Sequence, residues 1–195
     1  MRSGGRSQLN VRPLGGRDDG ARVTGTQLET ERLLLRWFTV DDIDAFNELG
    51  TNPQIIRYVG NQPFASLDVA KEMLIAAPLN DYATYGYGRF ACVLKQTGQV
   101  IGFCGPKFLP DTGVVDLGYR FLPKFWGMGL ATESARATID YARDQLGLQR
   151  IVGWVHPDNV ASARVLTKLD FSFDRRTTIA IPGFEFDLYQ KRLDG

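Results

Sequence analysis

Apolar positions between residues 31 and 193 recur at two periods, and each change of period marks a new element. "ERLLLRWF" reads as a first strand. "TVDDIDAFNELG" then reads as a helix capped by Thr39 or Asp41, with Ile43, Phe46 and Leu49 on one face and Gly50 as its stop. Asn52-Pro53 opens a short helix, "PQIIRYV", and "SLDVAKEMLIAA" a third, with Ser66 as N-cap and Pro78 as terminator. "GRFACVL" and "QVIGFCG" pair as a hairpin through "KQTG", and "GVVDLGYRF" follows as a strand.

The next helix places Ala131, Ala135, Ile139, Ala142 and Leu146 on one stripe and ends at Gly147. "RIVGWVH" is a strand and "NVASARVLTKL" a helix capped by Asn159. "FSFDRRTTI" and "FEFDLYQKRL" form a terminal pair around Pro182-Gly183. This order predicts an α/β (α+β) chain: a mixed, mostly antiparallel sheet of six to seven strands with helices on both faces.

Composition changes this picture mainly at the N-terminus. Residues 1–25 hold six glycines and five arginines with few large apolar side chains, so they are expected to form a flexible tail. A nucleic-acid-contacting arm is the alternative, weakened because the arginines are scattered. Residues 26–195 are expected to form one domain, large enough to bury a core without metal or disulfide. A net charge of +1 argues against nucleic acid or an anionic membrane as the main partner. Cys92 and Cys104 lie in apolar strands, as reduced core thiols do, and a single histidine, His156, argues against a metal site. No apolar run approaches the roughly 20 residues of a membrane span. With no signal-like segment at the start, a cytoplasmic location is expected.

The sharpest chemical signal is "FLPKFWGMGLATESAR", where Gly127 and Gly129 stand just ahead of a helix. Each glycine weakens a helix by roughly 1 kcal/mol relative to alanine. A phosphate bound to the first-turn amides would offset that cost, because those amides lack intrahelical partners and carry the positive end of the helix dipole. A tight structural corner is the plainer alternative. Neither a Walker loop nor a dinucleotide fingerprint fits: nothing matches GxxxxGK[ST], and Thr132 stands where a third glycine is needed.

The stretch from Gly118 to Phe171, with WGxGxAxE, a strand about 20 residues on, and then PxNxxS, closely resembles the acetyl-CoA-binding half of the GNAT N-acetyltransferases. It is most similar to the RimJ/RimL branch, which acetylates N-terminal amines of ribosomal proteins. "TERLLLRWFTVDDIDAFNEL" resembles the opening of the same branch, and the likeness spans most of residues 28–193. It implies a GNAT fold. It also implies that the backbone of Phe121 and Leu122 pairs with pantetheine and that an N–H there faces the thioester oxygen. The CoA pyrophosphate would lie on Lys124, Gly127, Met128, Gly129, Leu130, Ala131 and Thr132, and Asn159 would contact the CoA arm. Asp170 departs from the glycine usual before the phenylalanine at Phe171.

The family tyrosine that often protonates the leaving thiolate is replaced by Leu166. The resemblance points instead to Ser162, whose plainer role is first-turn capping. Asp116 is the candidate base, with Glu185 and Asp187 as alternatives, and a solvated strand carboxylate is the competing reading. An α-amine with an ordinary pKa near 7.7–8.0 needs little help from a base. His156 reads as a strand-end residue, Trp126 as a wall of the cofactor site or as core, and Glu133 as a carboxylate favoured in a first helical turn.

Arg57, Tyr58 and Phe184 are candidates for acceptor binding, within segments 50–64 and 174–184. The expected activity is acetyl transfer from acetyl-CoA to a primary amine, of a protein N-terminus or a small molecule, by direct attack in a ternary complex. The alternative is a CoA-binding regulatory or interaction module without transferase activity. The oligomeric state, a homodimer included, is left open, as is the acceptor's identity.

Overall fold

The computed structural model describes residues 26–60, 62–178 and 184–194. The chain starts with β1 (Gln27–Glu29) and β2 (Leu33–Trp37), followed by helices α1 (Ile43–Thr51), α2 (Pro53–Ile56), α3 (Leu67–Leu74) and α4 (Asn80–Tyr85). Strands β3 (Phe90–Leu94), β4 (Gln99–Leu109) and β5 (Val114–Phe121) lead into α5 (Leu130–Asp144). Then come β6 (Arg150–Val155), α6 (Val160–Lys168), β7 (Ser172–Thr178) and β8 (Glu185–Arg192).

The strands form one sheet in the order β1-β2-β3-β4-β5-β6-β8-β7. Eight strands are present against the six to seven expected, with three-residue β1 too short to leave a periodic signal. All pairings are antiparallel except β5 with β6, which is parallel and consists of a single register pair, Asp116↔Val152. Beyond that bridge the two strands part, whereas β5 stays paired with β4 through Gly102↔Phe121.

Two helix ends differ from expectation. Gly50 does not stop α1; it is buried where a Cβ would lie 2.0 Å from the Phe64 ring, so glycine is needed for packing. Asn52 makes the break by accepting from Gln54 N–H at 3.0 Å. Pro78 does not terminate a helix either. One π turn over Ile75–Leu79 carries the chain past it, because the wider turn tolerates the missing N–H, and the stop comes at Gly86 with φ +74°.

The sheet separates two apolar layers. On one face, Leu130, Ala135, Ile139 and Ala142 of α5 pack with Leu117, Phe121, Ile151 and Val155, and Leu166 of α6 joins them. The small residues of α5 bring its backbone close to the sheet. On the other face lie α1–α4, where Phe38, Leu74 and Tyr82 form one cluster and Leu49, Ile55 and Leu122 another. Cys92 and Cys104 are buried free thiols, raised in pKa chiefly by that burial.

Helix α6 ends in a Schellman turn, with Phe171 N–H on Leu166 C=O at 3.1 Å and Asp170 N–H on Thr167 C=O at 3.1 Å. Asp170 takes the left-handed conformation there, φ 62°, at the position where the resemblance led us to expect a glycine-like backbone. No helix among the described residues is long and apolar enough to cross a membrane. Residues 1–25, and residues 179–183 of the second acceptor segment, lie outside the described residues.

Candidate active site

The parting of β5 and β6 leaves backbone groups facing an opening. Leu122 N–H is bonded to Ile101 C=O of β4 at 2.9 Å, so by strand alternation Gly118, Arg120 and Leu122 direct their backbone toward β4. Leu117, Tyr119 and Phe121 direct theirs toward β6. The expectation for Leu122 is therefore corrected: its amide is spent inside the sheet, and its side chain packs on Leu49 and Ile55. Phe121 faces the opening, but its carbonyl accepts from Trp126 Nε1 at 2.6 Å. Trp126 is half exposed and so lines the surface rather than the core. Tyr119, which the sequence did not single out, offers the free backbone edge between them.

The glycine turn follows directly. Gly127 and Gly129 have φ of +75° and +80°, a region costly for residues with a Cβ. Among the described residues, no atom beyond its chain neighbours lies within 4 Å of a Cβ built on Gly127, so backbone conformation, not protein crowding, requires glycine there. Gly129 is the N-cap of α5 and supplies no side chain to its amides. The first bond of the helix is Glu133 N–H to Gly129 C=O at 3.0 Å, which leaves the amides of Leu130, Ala131 and Thr132 ahead of it without intrahelical acceptors. Three donors, a helix dipole and open space suit a phosphate group.

This turn is clamped from the connection between β1 and β2, which sequence reading did not foresee. Arg32 donates to Met128 C=O at 2.8 Å and pairs with Glu133 at 2.6 Å, while Thr30 Oγ1 and the Arg32 amide bond the same carboxylate at 2.5 and 2.8 Å. Burial pushes the Glu133 pKa up, but these hydrogen bonds outweigh it and the net shift is downward. Glu133 therefore holds the turn to the sheet. Lys124 Nζ lies 5.1 Å from the Phe125 ring, at the start of the turn.

On the α5–α6 face, Tyr119 and Ser162 meet across the opening. Their hydroxyl oxygens are 2.9 Å apart, and Tyr119 Oη also donates to Ser162 C=O at 3.0 Å. Asn159 Oδ1 accepts from Ser162 N–H at 3.1 Å, capping α6 and fixing the serine. Burial raises the Tyr119 pKa strongly, so the phenol stays protonated at neutral pH. The pair sets two protonated hydroxyl groups side by side at the opening.

Of the three candidate carboxylates, Asp116 belongs to the other face. The Asp116 carboxylate, expected to stand as a base, is paired with the Arg89 guanidinium, which also bonds the carbonyls of Gly105 and Asp116. Asp187 is held by Arg176 at 2.7 Å and pairs in register with Val155, whose side chain belongs to the α5–α6 layer. Glu185 lies two residues away on the same strand and is exposed. Neither of these carboxylates faces the α1–α4 side.

What the structure does gather there is aromatic. Tyr58, Phe184 and Phe186 surround His156, with ring centroids at 5.6, 5.9 and 6.4 Å, and the Arg57 guanidinium lies 5.1 Å from the Tyr58 ring. Two of the three expected acceptor residues thus contact His156, and Arg57 flanks them. His156 Nδ1 accepts from Asp158 N–H at 3.2 Å, which places the proton of the neutral ring on Nε2. No group of three or more metal-ligating side chains occurs among the described residues.

The sequence profile of the acetyltransferase (GNAT) domain matches residues 32–172. An uncharacterized N-acetyltransferase, p20, from Bacillus licheniformis is 34% identical over 146 residues, 74% of this chain and 81% of that one. An acetyltransferase structure from Agrobacterium tumefaciens str. C58 is 27% identical, with a TM-score of 0.74, covering 90% of this chain and 99% of that one. A RimL ribosomal L7/L12 alpha-N-protein acetyltransferase in complex with coenzyme A shares the fold at 16% identity, with a TM-score of 0.70 over 85% of this chain and 96% of that one. With the parted strands and the glycine turn in place, these matches show that the chain belongs to the GNAT acetyltransferase family, enzymes that take their acetyl group from acetyl-CoA.

Proposed function

We propose that this enzyme is an N-acetyltransferase that moves the acetyl group of acetyl-CoA to a primary amine, of a protein N-terminus or a small molecule, by direct attack in a ternary complex. The observation that carries this reading is the Tyr119–Ser162 hydroxyl pair at 2.9 Å, standing across the opening between β5 and β6. Acetyl-CoA supplies an activated thioester carbonyl. The amides of Leu130, Ala131 and Thr132 receive its pyrophosphate, with Gly127, Met128, Gly129 and Lys124 shaping the turn. The backbone edge of Tyr119 and Phe121 aligns the pantetheine, and Asn159 holds Ser162 toward it.

The amine nitrogen forms its bond to the acetyl carbon as the carbon–sulfur bond breaks. Ser162 Oγ then gives a proton to the departing thiolate and is resupplied from the Tyr119 phenol. The amine's own proton leaves to water, and water returns one proton to Tyr119, so the hydroxyl pair ends as it began. Asp116, bound to Arg89, acts as a structural anion in this scheme rather than as a base. An α-amine is partly neutral near pH 8 without one. Arg57, Tyr58 and Phe184 form the acceptor's side of the site.

The test is thiol release from acetyl-CoA with a panel of amino acids, N-terminal peptides and small amines, together with calorimetry of acetyl-CoA binding. Turnover with an amine supports the reading. Binding without turnover on any amine would instead support a CoA-binding module without transferase activity.

A further inference from the structure

The α1–α4 face of the opening carries a part-buried cation, Arg120, with no ion-pair partner among the described residues. Arg89 is neutralised by Asp116, and Lys107, the register partner of Asp116 on β4, by Asp81 at 2.5 Å. The Arg120 guanidinium donates to Leu49 C=O at 3.1 Å and lies 5.3 Å from the Phe103 ring, leaving other N–H groups unspent. Burial, together with the neighbouring Arg89 charge, pushes its pKa down to about 10, the mark of a cation short of counter-charge.

The opposite wall of the opening is donor-rich as well. A Cβ on Gly153 would meet Leu166 of α6, so Val152, Trp154 and His156 face the other way, toward α1–α4. Beyond the Asp116↔Val152 bridge, Trp154 and His156 continue along this face of β6 as Gly118 and Arg120 do along β5. Trp154 Nε1 is fully buried with no hydrogen-bond partner among the described residues. His156 presents its Nε2–H, since Nδ1 is taken by Asp158 N–H. Beside His156 lie the rings of Tyr58, Phe184 and Phe186.

A cation and two N–H donors suit an anionic oxygen group and disfavour a polyamine, and the Asp158 carboxylate, 4.0 Å from His156 Nδ1, is largely turned to solvent. We propose that the acceptor is an α-amino acid with an apolar or aromatic side chain. Arg120 receives its carboxylate, and the Tyr58–His156–Phe184–Phe186 enclosure receives its side chain. This rests on the acetyl-transfer reading above and narrows its acceptor.

The experiment is thiol release by the full chain with phenylalanine, phenylalanine amide, phenethylamine and a peptide beginning with phenylalanine. The free acid is expected to lead in kcat/KM by about tenfold or more, the effect of one lost charge-assisted hydrogen bond. R120Q should raise KM for phenylalanine by about the same factor and leave KM for acetyl-CoA unchanged, with R120K intermediate. The native-protein panel decides the matter even if a variant misfolds. Equal rates for acid, amide and amine, or a preference for the peptide, would overturn the inference while leaving acetyl transfer standing. A shift of KM for acetyl-CoA alone in R120Q would assign Arg120 to the cofactor and overturn it too. If acetyl-CoA binds and no amine releases thiol, the transferase reading falls and this inference falls with it.

Discussion

Tyr119 in β5 and Ser162 in the first turn of α6 bring their hydroxyl oxygens to 2.9 Å, tying β5 to the helix that follows β6 where the two strands have parted. The bond stands beside the parting of β5 and β6, so a structural tie and the proposed proton donor are both assigned to it. Those roles separate experimentally. Y119F and S162A are each expected to lower kcat by about 10²-fold, with KM for acetyl-CoA little changed. The double variant should be scarcely worse than either single one, because the two groups act as a unit. Steady-state kinetics on the four proteins checks this, and additive losses would show two independent roles.

The glycine turn separates stability from binding. Alanine at Gly127 or Gly129 must adopt φ of +75° or +80°, at a cost of about 1–2 kcal/mol. Thermal or urea unfolding should show that loss at either position. Calorimetry should show a further loss of acetyl-CoA affinity, larger for G129A, which stands next to the first-turn amides of α5.

Glu133 predicts an acid limb of stability. Its folded pKa lies below the ordinary value of 4.5 because hydrogen bonds from Thr30 and Arg32 overcome the opposing effect of burial. A depressed carboxyl contributes stability that is fully present above the unfolded value and lost as pH falls through the folded one. Urea midpoints should therefore decline below about pH 4.5, and E133Q should be less stable at neutral pH with a flatter acid limb.

Asp116 and Arg89 form a pair in which each side chain is less than one-sixth exposed. Removing one partner leaves the other charge uncompensated, at a cost of about 3 kcal/mol. D116N should therefore lower the unfolding midpoint markedly while the folded fraction retains its kcat. A kcat loss of about 10²-fold with unchanged stability would restore Asp116 as a base.

Asp170 holds φ 62° in the Schellman turn, and its contact with Lys191 at 3.5 Å involves a carboxylate that is 87% exposed. D170G should relieve backbone strain and raise stability by about 0.5–1 kcal/mol, read from urea midpoints.

Much of this fold was legible in local pattern. The hairpin through "KQTG", the α5 stripe, the Asn159 cap and the left-handed backbone at Asp170 depend on residues a few positions apart, where period and backbone preference act directly. Pro78 and Gly50 misled for the opposite reason. A π turn and the Phe64 ring, supplied by tertiary packing, overrode the local meaning of both residues.

The sequence by itself determined the left-handed turn ahead of α5, because two glycines before a helix express a local backbone requirement. It also placed Ser162, through the cap that holds it. Only the tertiary structure decided what those parts face. Tyr119 reaches Ser162 from 43 residues away, Glu133 is held by Arg32 from 101 residues away, Asp116 is drawn to Arg89, and Arg120 is left without a counter-ion among the described residues. Charge balance and proton relays depend on distances through space, and the parting of β5 from β6 sets those distances.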